Sequence, residues 1–454
     1  MTVPDATRMH GLGALRNIAL AFDGRVRVAF VLFGGMLALQ SSATLDATKI
    51  VYLVGVVICL AGALVARYRA RGSPLVTLST AWIPATGALA VLVVISFLVA
   101  RANGVATANW MRDVAAYALF VAVPIFALDG QVSTPRKLLV AMLVVAGLLG
   151  GFSWAIEWLG RRQILELPVT RLVFPSPQLP AMLYLFAMAT ALTADRRRVA
   201  WPLLAGLTLG LFLLTGTRSS LLLLVGPAAM AVIAGWGQIR SSVQVIVVHA
   251  AAAVVVIVAF QLALVVPRAF ENGGPAEPGS STPAATSVPD VLGDRFGSLP
   301  AVLGHLSSDA SIKERVAQYE AGWRLFVSSP IVGVGPGHAI DWIDVSGYPR
   351  SGFTADTPLV LPAKFGLLGV LVFAGAAAAY LSTVRNALRR HPRSAITLTL
   401  VAYGIWVIVG LPLGFPVEDK GTALALMLLL ALALAEPSEA PGPMDQRGSA
   451  VTTR

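Results

Sequence analysis

The sequence predicts an all-α polytopic membrane protein with about twelve transmembrane helices and one long extracytoplasmic loop that contains short helices. Hydrophobic residues make up 56% of the 454 residues and charged residues only 13%, a balance that no soluble core requires. Apolar runs of about 17–25 residues, the length that crosses a bilayer, recur along the whole chain. The single cysteine, Cys59, lies inside such a run, which excludes a disulfide framework.

The predicted spans are joined by short connections except for one long loop. Their positions are 26–42, 48–66, 82–100, 113–129, 138–158, 176–194, 199–215, 219–236, 243–266, 357–382, 395–413 and 419–435. They divide the chain into a cytoplasmic N-terminus (1–25), nine helices (26–266), the extracytoplasmic loop (267–356), three helices (357–435) and a disordered cytoplasmic tail (436–454). The first residues show no cleavable signal pattern.

The distribution of basic residues predicts the orientation. Arginines cluster in connections on the side of the N-terminus, for example around Arg69, Arg197 and Arg390, and this side is therefore predicted to be cytoplasmic. The net charge of +11 does not indicate a nucleic-acid partner, because the basic residues are scattered rather than gathered on one face.

A second set of arginines falls on the predicted outer side, against this bias. The set consists of Arg101, Arg112, Arg161, Arg162, Arg171 and Arg218. One interpretation is that they are interfacial side chains that reach the headgroups. The other is a cationic site for an anionic lipid headgroup such as a diphosphate, which the planar guanidinium binds through two hydrogen bonds. Arg218 has apolar residues on both sides, and a charge at such a depth is by default a functional candidate.

The long loop carries most of the polar residues. Ser311 and Glu314 have capping-box spacing and predict a helix from Ser311 to about Val327. Its apolar stripe is expected on the protein or the membrane surface and comprises Val316, Tyr319, Trp323, Phe326 and Val327. Arg315 and Arg324 lie off this stripe. Pro330 ends the helix, and three glycines permit a tight turn before His338.

Three residues near this turn are candidates for a general base, namely His338, Asp356 and Glu320. Histidine accepts protons near neutral pH, although a loop histidine is also often merely solvated. Asp356 has the alternative role of capping a helix that starts at Thr357. Asp341 and Asp344 are too few ligands for a metal site, so no metal and no cofactor are predicted.

Several segments resemble the O-antigen ligase and polymerase superfamily of membrane glycosyltransferases. These segments are R-L-V-F-P-S-P (171–177), T-G-T-R-S-S (215–220), E-R-V-A-Q-Y-E-A-G-W-R-L-F (314–326), P-I-V-G-V-G-P-G (330–337) and G-L-L-G (366–369). The resemblance implies glycan transfer from an undecaprenyl diphosphate-linked donor to an acceptor hydroxyl at the periplasmic face of the bacterial inner membrane. Membrane lipids and a glycan or lipid-linked acceptor are the other implied partners.

The resemblance also suggests roles for single residues. Arg171, Arg218 and Arg315 correspond to donor diphosphate-binding positions, while Arg112, Arg161, Arg162 and Arg324 are candidates for acceptor or headgroup binding. Ligases carry a His-Asn pair eleven residues before the G-x-x-G motif, where this chain has Ala355 and Asp356. That difference favours polymerisation or another transfer over lipopolysaccharide ligation, with His338 or Asp356 as the base.

A transporter or flippase for lipid-linked glycan or anions is the main alternative. The sequence shows no internal repeat and no Walker motif, and its unusual arginines lie at one outer level rather than at mid-membrane depth. A structural scaffold does not account for these arginines. A transferase is therefore the favoured interpretation.

Overall fold

The computed structural model describes residues 24–36, 47–69, 82–133, 135–165, 178–193, 199–213, 223–234, 246–258, 310–413 and 418–434. This part of the chain is mostly helical. Its helices are α1 (Gly24–Ala29, continued by a π turn, Phe30–Gly34), α2 (Ala47–Arg69), α3 (Trp82–Ala102), α4 (Thr107–Ser133), α5 (Arg136–Leu165), α6 (Gln178–Thr193), α7 (Ala200–Leu213), α8 (Val225–Ala234), α9 (Ile246–Val258), α10 (Ala310–Ser328), α11 (Val360–Arg390), α12 (Ala395–Gly410) and α13 (Lys420–Leu434).

The prediction of an all-α fold agrees with this architecture. A helix lies at each of the twelve predicted spans, with α10 as the additional helix of the loop. Among the described residues, two helices, α3 and α11, are long and apolar enough to cross a membrane. The number of spans stays a prediction, and so do the predicted domain boundaries, of which 1–23, 267–309 and 435–454 lie outside the described residues.

Apolar side chains cover the outside of several helices as well as the core. α6 and α13 are buried along most of their length in one large cluster. In contrast, only 28% of the apolar stretch of α3 and 17% of that of α11 is buried. Val94 and Leu98 on α3 and Leu371 and Leu381 on α11 are all more than half exposed. An amphipathic helix of a water-soluble protein would place polar residues there.

Three connections meet at one end of the helix bundle. Asn103, between α3 and α4, donates a hydrogen bond to the carbonyl of Val334 in the long loop (3.0 Å). The Tyr319 hydroxyl on α10 donates to the carbonyl of Pro412, between α12 and α13 (2.9 Å). At the other end of α3, Trp82 donates to Thr383 on α11 (3.1 Å), so these two helices run antiparallel. Because these connections all lie at the same end of the bundle, consecutive helices alternate in direction there.

The loop contains a small sheet that the sequence analysis did not predict. β1 (Ile340–Ile343) pairs antiparallel with β2 (Pro349–Gly352). Ile340 is buried and Trp342 half-buried against α10. This alternation was hidden by Asp341, which lies within the strand, and by Asp344 directly after it. α10 begins at Ala310, one residue before the predicted cap Ser311, and ends at Ser328, close to the predicted end.

Candidate functional site

A break in α11 receives the glycine-rich turn of the long loop. Gly366 has φ +63° and ψ −163°, which interrupts the helical hydrogen bonds around it. The turn replaces them through four backbone hydrogen bonds, which are Val334 N–H to Ala363 O (2.9 Å), Gly335 N–H to Lys364 O (3.0 Å), Leu367 N–H to Pro330 O (2.8 Å) and Leu368 N–H to Ile331 O (3.1 Å). The backbone groups freed by the break are thus satisfied by protein, as a broken helix inside a membrane protein requires.

The predicted tight turn before His338 is confirmed. Gly333, Gly335 and Gly337 have φ values of +72°, +87° and +82°, a region that other residues rarely adopt. Each glycine also lies against backbone. A Cβ atom at Gly335 would be 2.7 Å from Ala100 Cα, and one at Gly337 would be 2.6 Å from the amide nitrogen of Trp110. The turn is therefore packed between α11 and the α3–α4 connection.

A buried cluster of charged side chains lies beside this turn. The Lys364 ammonium group, on α11 next to the break, is 2.7 Å from a carboxylate oxygen of Asp113 on α4 and 2.8 Å from one of Glu418. The side chain of Lys364 is only 1% exposed. The hydroxyl of Tyr117 donates to Glu418 (3.1 Å). We call Lys364, Asp113 and Glu418 the lysine cluster.

The lysine cluster is connected directly to the turn that precedes His338. The second carboxylate oxygen of Asp113 accepts the backbone N–H of Gly337 at 2.6 Å. Asp113 therefore holds Lys364 with one oxygen and the glycine turn with the other. Because Gly337 is the neighbour of His338, this contact fixes the backbone from which the half-buried histidine side chain projects.

Asp356 lies beside α10, on the other border of the site. Its backbone N–H donates to the buried side chain of Gln318. Asp356 is an exposed residue as a whole, yet the protein around its carboxyl removes enough hydration to raise the pKa of that group. The nearby Arg315 guanidinium opposes this rise, and the Glu314 carboxylate adds to it. Asp356 does not cap α11, because that helix starts at Val360 rather than at Thr357.

Two of the candidate arginines border the same region. The Arg112 guanidinium lies 3.9 Å from the centroid of the Phe353 ring, three residues before Asp356. Arg315 is half-buried, and its Nε has no hydrogen-bond partner among the residues that the structure describes. The structure therefore brings Arg112, Arg315, His338 and Asp356 to one end of the bundle, around the start of α4.

For the other candidate site residues, the structure shows no position within this group of four. Arg324 is exposed and lies nine residues after Arg315, which places it on the opposite side of α10. Glu320 is exposed on α10. Arg161 and Arg162 belong to the last turns of α5, and nothing is described of their side chains. Arg171 and Arg218 lie outside the described residues.

No protein-family model and no curated protein matches this chain.

The described residues contain no group of three or more metal-ligating side chains. Asp344 is committed to the turn between β1 and β2, where it accepts hydrogen bonds from the backbone of Tyr348 and Ser346 and from Arg350. These hydrogen bonds, with that of Tyr348 first, lower the pKa of its carboxyl. Asp341 is exposed on β1. The hydrogen bonds of the hairpin turn therefore account for the position of Asp344.

The lysine cluster was not predicted from the sequence. Its members lie 251 and 54 residues apart along the chain, so no local motif connects them. A signal was nevertheless present, because Asp113 and Lys364 fall within predicted spans and Glu418 directly precedes one. Ionisable residues in such places are rare and functional by default.

Proposed function

We propose that this chain is a membrane-embedded glycosyltransferase that moves or polymerises glycan from an undecaprenyl diphosphate-linked donor onto an acceptor hydroxyl. The observation that carries the proposal is the grouping of Arg112 and Arg315 with His338 and Asp356 at one end of the helix bundle. These are the two kinds of group that the reaction needs, namely fixed cations and a base. The resemblance to O-antigen ligases and polymerases supports the same reaction.

The proposal includes a multi-pass arrangement in the bacterial inner membrane. The outward apolar surfaces of α3 and α11 support it, since such surfaces suit lipid. The site end of the bundle then faces the periplasm, and both termini face the cytoplasm. Labelling of cysteines introduced at Ser346 and Ser438 by an impermeant thiol reagent tests this orientation. Only Ser346→Cys should react in intact cells, and the opposite pattern contradicts it.

The proposed reaction is a displacement at the anomeric carbon of the donor sugar. The acceptor oxygen forms a bond to that carbon while the bond from the carbon to the diphosphate oxygen breaks. Undecaprenyl diphosphate leaves with its charge neutralised by arginines, Arg315 among those described and Arg171 and Arg218 by resemblance. The hydroxyl proton passes to His338 or Asp356. Neither a nucleotide sugar nor a metal takes part.

The first prediction concerns the diphosphate contact of Arg315. Arg315→Lys keeps the charge but loses the planar pair of donors, so we expect transfer to fall about 10²–10³-fold, the range for the loss of one transition-state donor. Arg389→Lys, an exposed arginine near the far end of α11, is the matched control and should keep wild-type activity. Transfer is measured with purified protein and lipid-linked glycan. Wild-type activity in a normally folded Arg315→Lys variant excludes Arg315 as a donor ligand.

The second prediction identifies the base from the pH dependence of transfer. If Asp356 is the base, activity falls as the pH drops through the raised pKa of its carboxyl, because the protonated group no longer accepts a proton. Asp356→Asn then loses about 10²–10⁴-fold in rate together with this dependence, and His338→Ala retains both. The reverse pattern assigns the role to His338. Full activity in both variants excludes general-base catalysis by either residue.

A further inference from the structure

The exposed surface of α10 has an apolar side and a charged side. Val316, Trp323 and Val327 are 51%, 54% and 56% exposed, and their spacing of seven and four residues places them on one line along the helix. Lys313, Glu320 and Arg324 are exposed on the charged side. The side that packs on the protein is formed by other residues, namely Gln318, Ala321 and Leu325. Three residues of the apolar stripe predicted from the sequence thus lie outside the packing surface, while its other two, Tyr319 and Phe326, are half-buried.

This apolar line continues onto α11. Ile331, three residues after the end of α10, is 69% exposed, and its carbonyl accepts the backbone N–H of Leu368 on α11. Leu367 and Leu371, at the same place on α11, are 51% and 70% exposed. The line therefore runs without interruption from the loop helix to one of the two helices that are long and apolar enough to cross a membrane.

α10 also lies at the level where transmembrane helices end. Gly322 packs against Leu359, just before α11 begins, and a Cβ atom at Gly322 would be 3.1 Å from the Leu359 Cβ. Tyr319 is hydrogen-bonded to Pro412, just after α12 ends. A helix in this place with a tryptophan on its apolar side and basic residues on its charged side has the pattern of a helix that lies in a membrane interface.

We propose that the apolar line of α10 is a lipid-binding surface that rests on the acyl chains of the outer leaflet. This inference rests on the proposed membrane arrangement and extends it to a helix that crosses no bilayer. Bilayer lipid is favoured over a protein partner because the line is continuous with the outward surface of α11. The consequence for function is that Arg315, on the same helix, is held at the height of the lipid headgroups, where a lipid-linked diphosphate lies.

The test uses single cysteines labelled with bimane in vesicles of phosphatidylcholine. Val327→Cys reports on the apolar line, Lys313→Cys on the charged side of the same helix, and Leu371→Cys on α11. We expect phosphatidylcholine brominated on its acyl chains to reduce the fluorescence at positions 327 and 371, and aqueous iodide to reduce it at position 313. Cys59 is buried and single, so it contributes little background.

The possible outcomes distinguish failure of the lipid-binding proposal for α10 from failure of the proposed membrane arrangement. Quenching by lipid at position 371 together with quenching by iodide at position 327 overturns the inference and leaves the membrane arrangement intact. Quenching by iodide at both positions overturns the membrane arrangement as well. Protection of position 327 from both quenchers also overturns the inference, because it shows that protein, either another copy or a different partner, covers the apolar line.

Discussion

Lys364→Met is expected to prevent the accumulation of folded protein. The variant leaves the carboxylates of Asp113 and Glu418 buried without their shared cation, and removing one partner of a buried ion pair costs about 3–5 kcal/mol. That is a large share of the free energy of unfolding of an ordinary domain. The measurements are the yield of monodisperse protein in detergent and its thermal unfolding midpoint. Lys313→Met, which removes an exposed lysine, is the matched control and should behave as the wild type.

A second variant distinguishes loss of the charge balance from loss of packing. Neutralising the whole cluster in Lys364→Met/Asp113→Asn/Glu418→Gln removes the unpaired charges and should restore much of the lost stability. Transfer activity should recover less, because the amide oxygen of asparagine accepts the N–H of Gly337 more weakly than the carboxylate that it replaces. If Lys364→Met alone expresses and unfolds as the wild type does, the lysine cluster does not hold these three segments together.

Gly366→Ala is expected to have the second largest effect. The backbone of Gly366, with φ +63° and ψ −163°, lies in a region that is essentially open to glycine only, and holding an alanine there costs about 1–3 kcal/mol. Its Cβ would also collide with the backbone of Ile331, at the place where the glycine turn enters the break, and overpacking typically costs about 1–3 kcal/mol. Since the turn precedes His338, we expect loss of transfer activity even in molecules that remain folded.

The control for this variant lies on the same helix. Gly375→Ala places a Cβ where nothing lies within 4 Å, in a regular part of α11. It should leave activity unchanged and leave stability equal or slightly raised, since alanine favours a helix over glycine by about 0.5–1 kcal/mol. Equal unfolding midpoints and equal activities for Gly366→Ala and Gly375→Ala contradict the proposed fit of the turn into the break.

Local patterns predicted those parts of the structure that depend on neighbouring residues. The apolar runs predicted where the helices lie, and the alternating glycines predicted the turn before His338. The partner of that turn could not be predicted, because the break at Gly366 looks like an ordinary glycine in an apolar run until the segment around Val334 is placed beside it. For the same reason Lys364 was overlooked, since Asp113 and Glu418 reach it only through the packing of three helical segments.

In the candidate site as well, the sequence predicted which residues to consider, while their positions relative to each other depend on packing. Arg112 was selected because it lies on the predicted outer side, and Asp356 because of its position in the resemblance. The structure places the Arg112 guanidinium over the ring of Phe353, three residues before Asp356. Arg315 and Arg324 both lie off the apolar stripe predicted for α10, and the structure places them on opposite sides of this helix. The start of α11 was predicted three residues too early, because Thr357 binds the N–H of Leu359 in a turn before the helix begins.

The measurement that tests the central claim most directly is the fate of the donor lipid in vesicles that contain the purified wild-type protein. The vesicles carry undecaprenyl diphosphate-linked glycan, an acceptor glycan and a chelator, without nucleotide sugar. We predict that glycan is joined to the acceptor and that undecaprenyl diphosphate is released in equal amount, with Arg315→Lys strongly impaired. Movement of intact donor lipid between leaflets without any release of undecaprenyl diphosphate would contradict the transferase and identify a flippase.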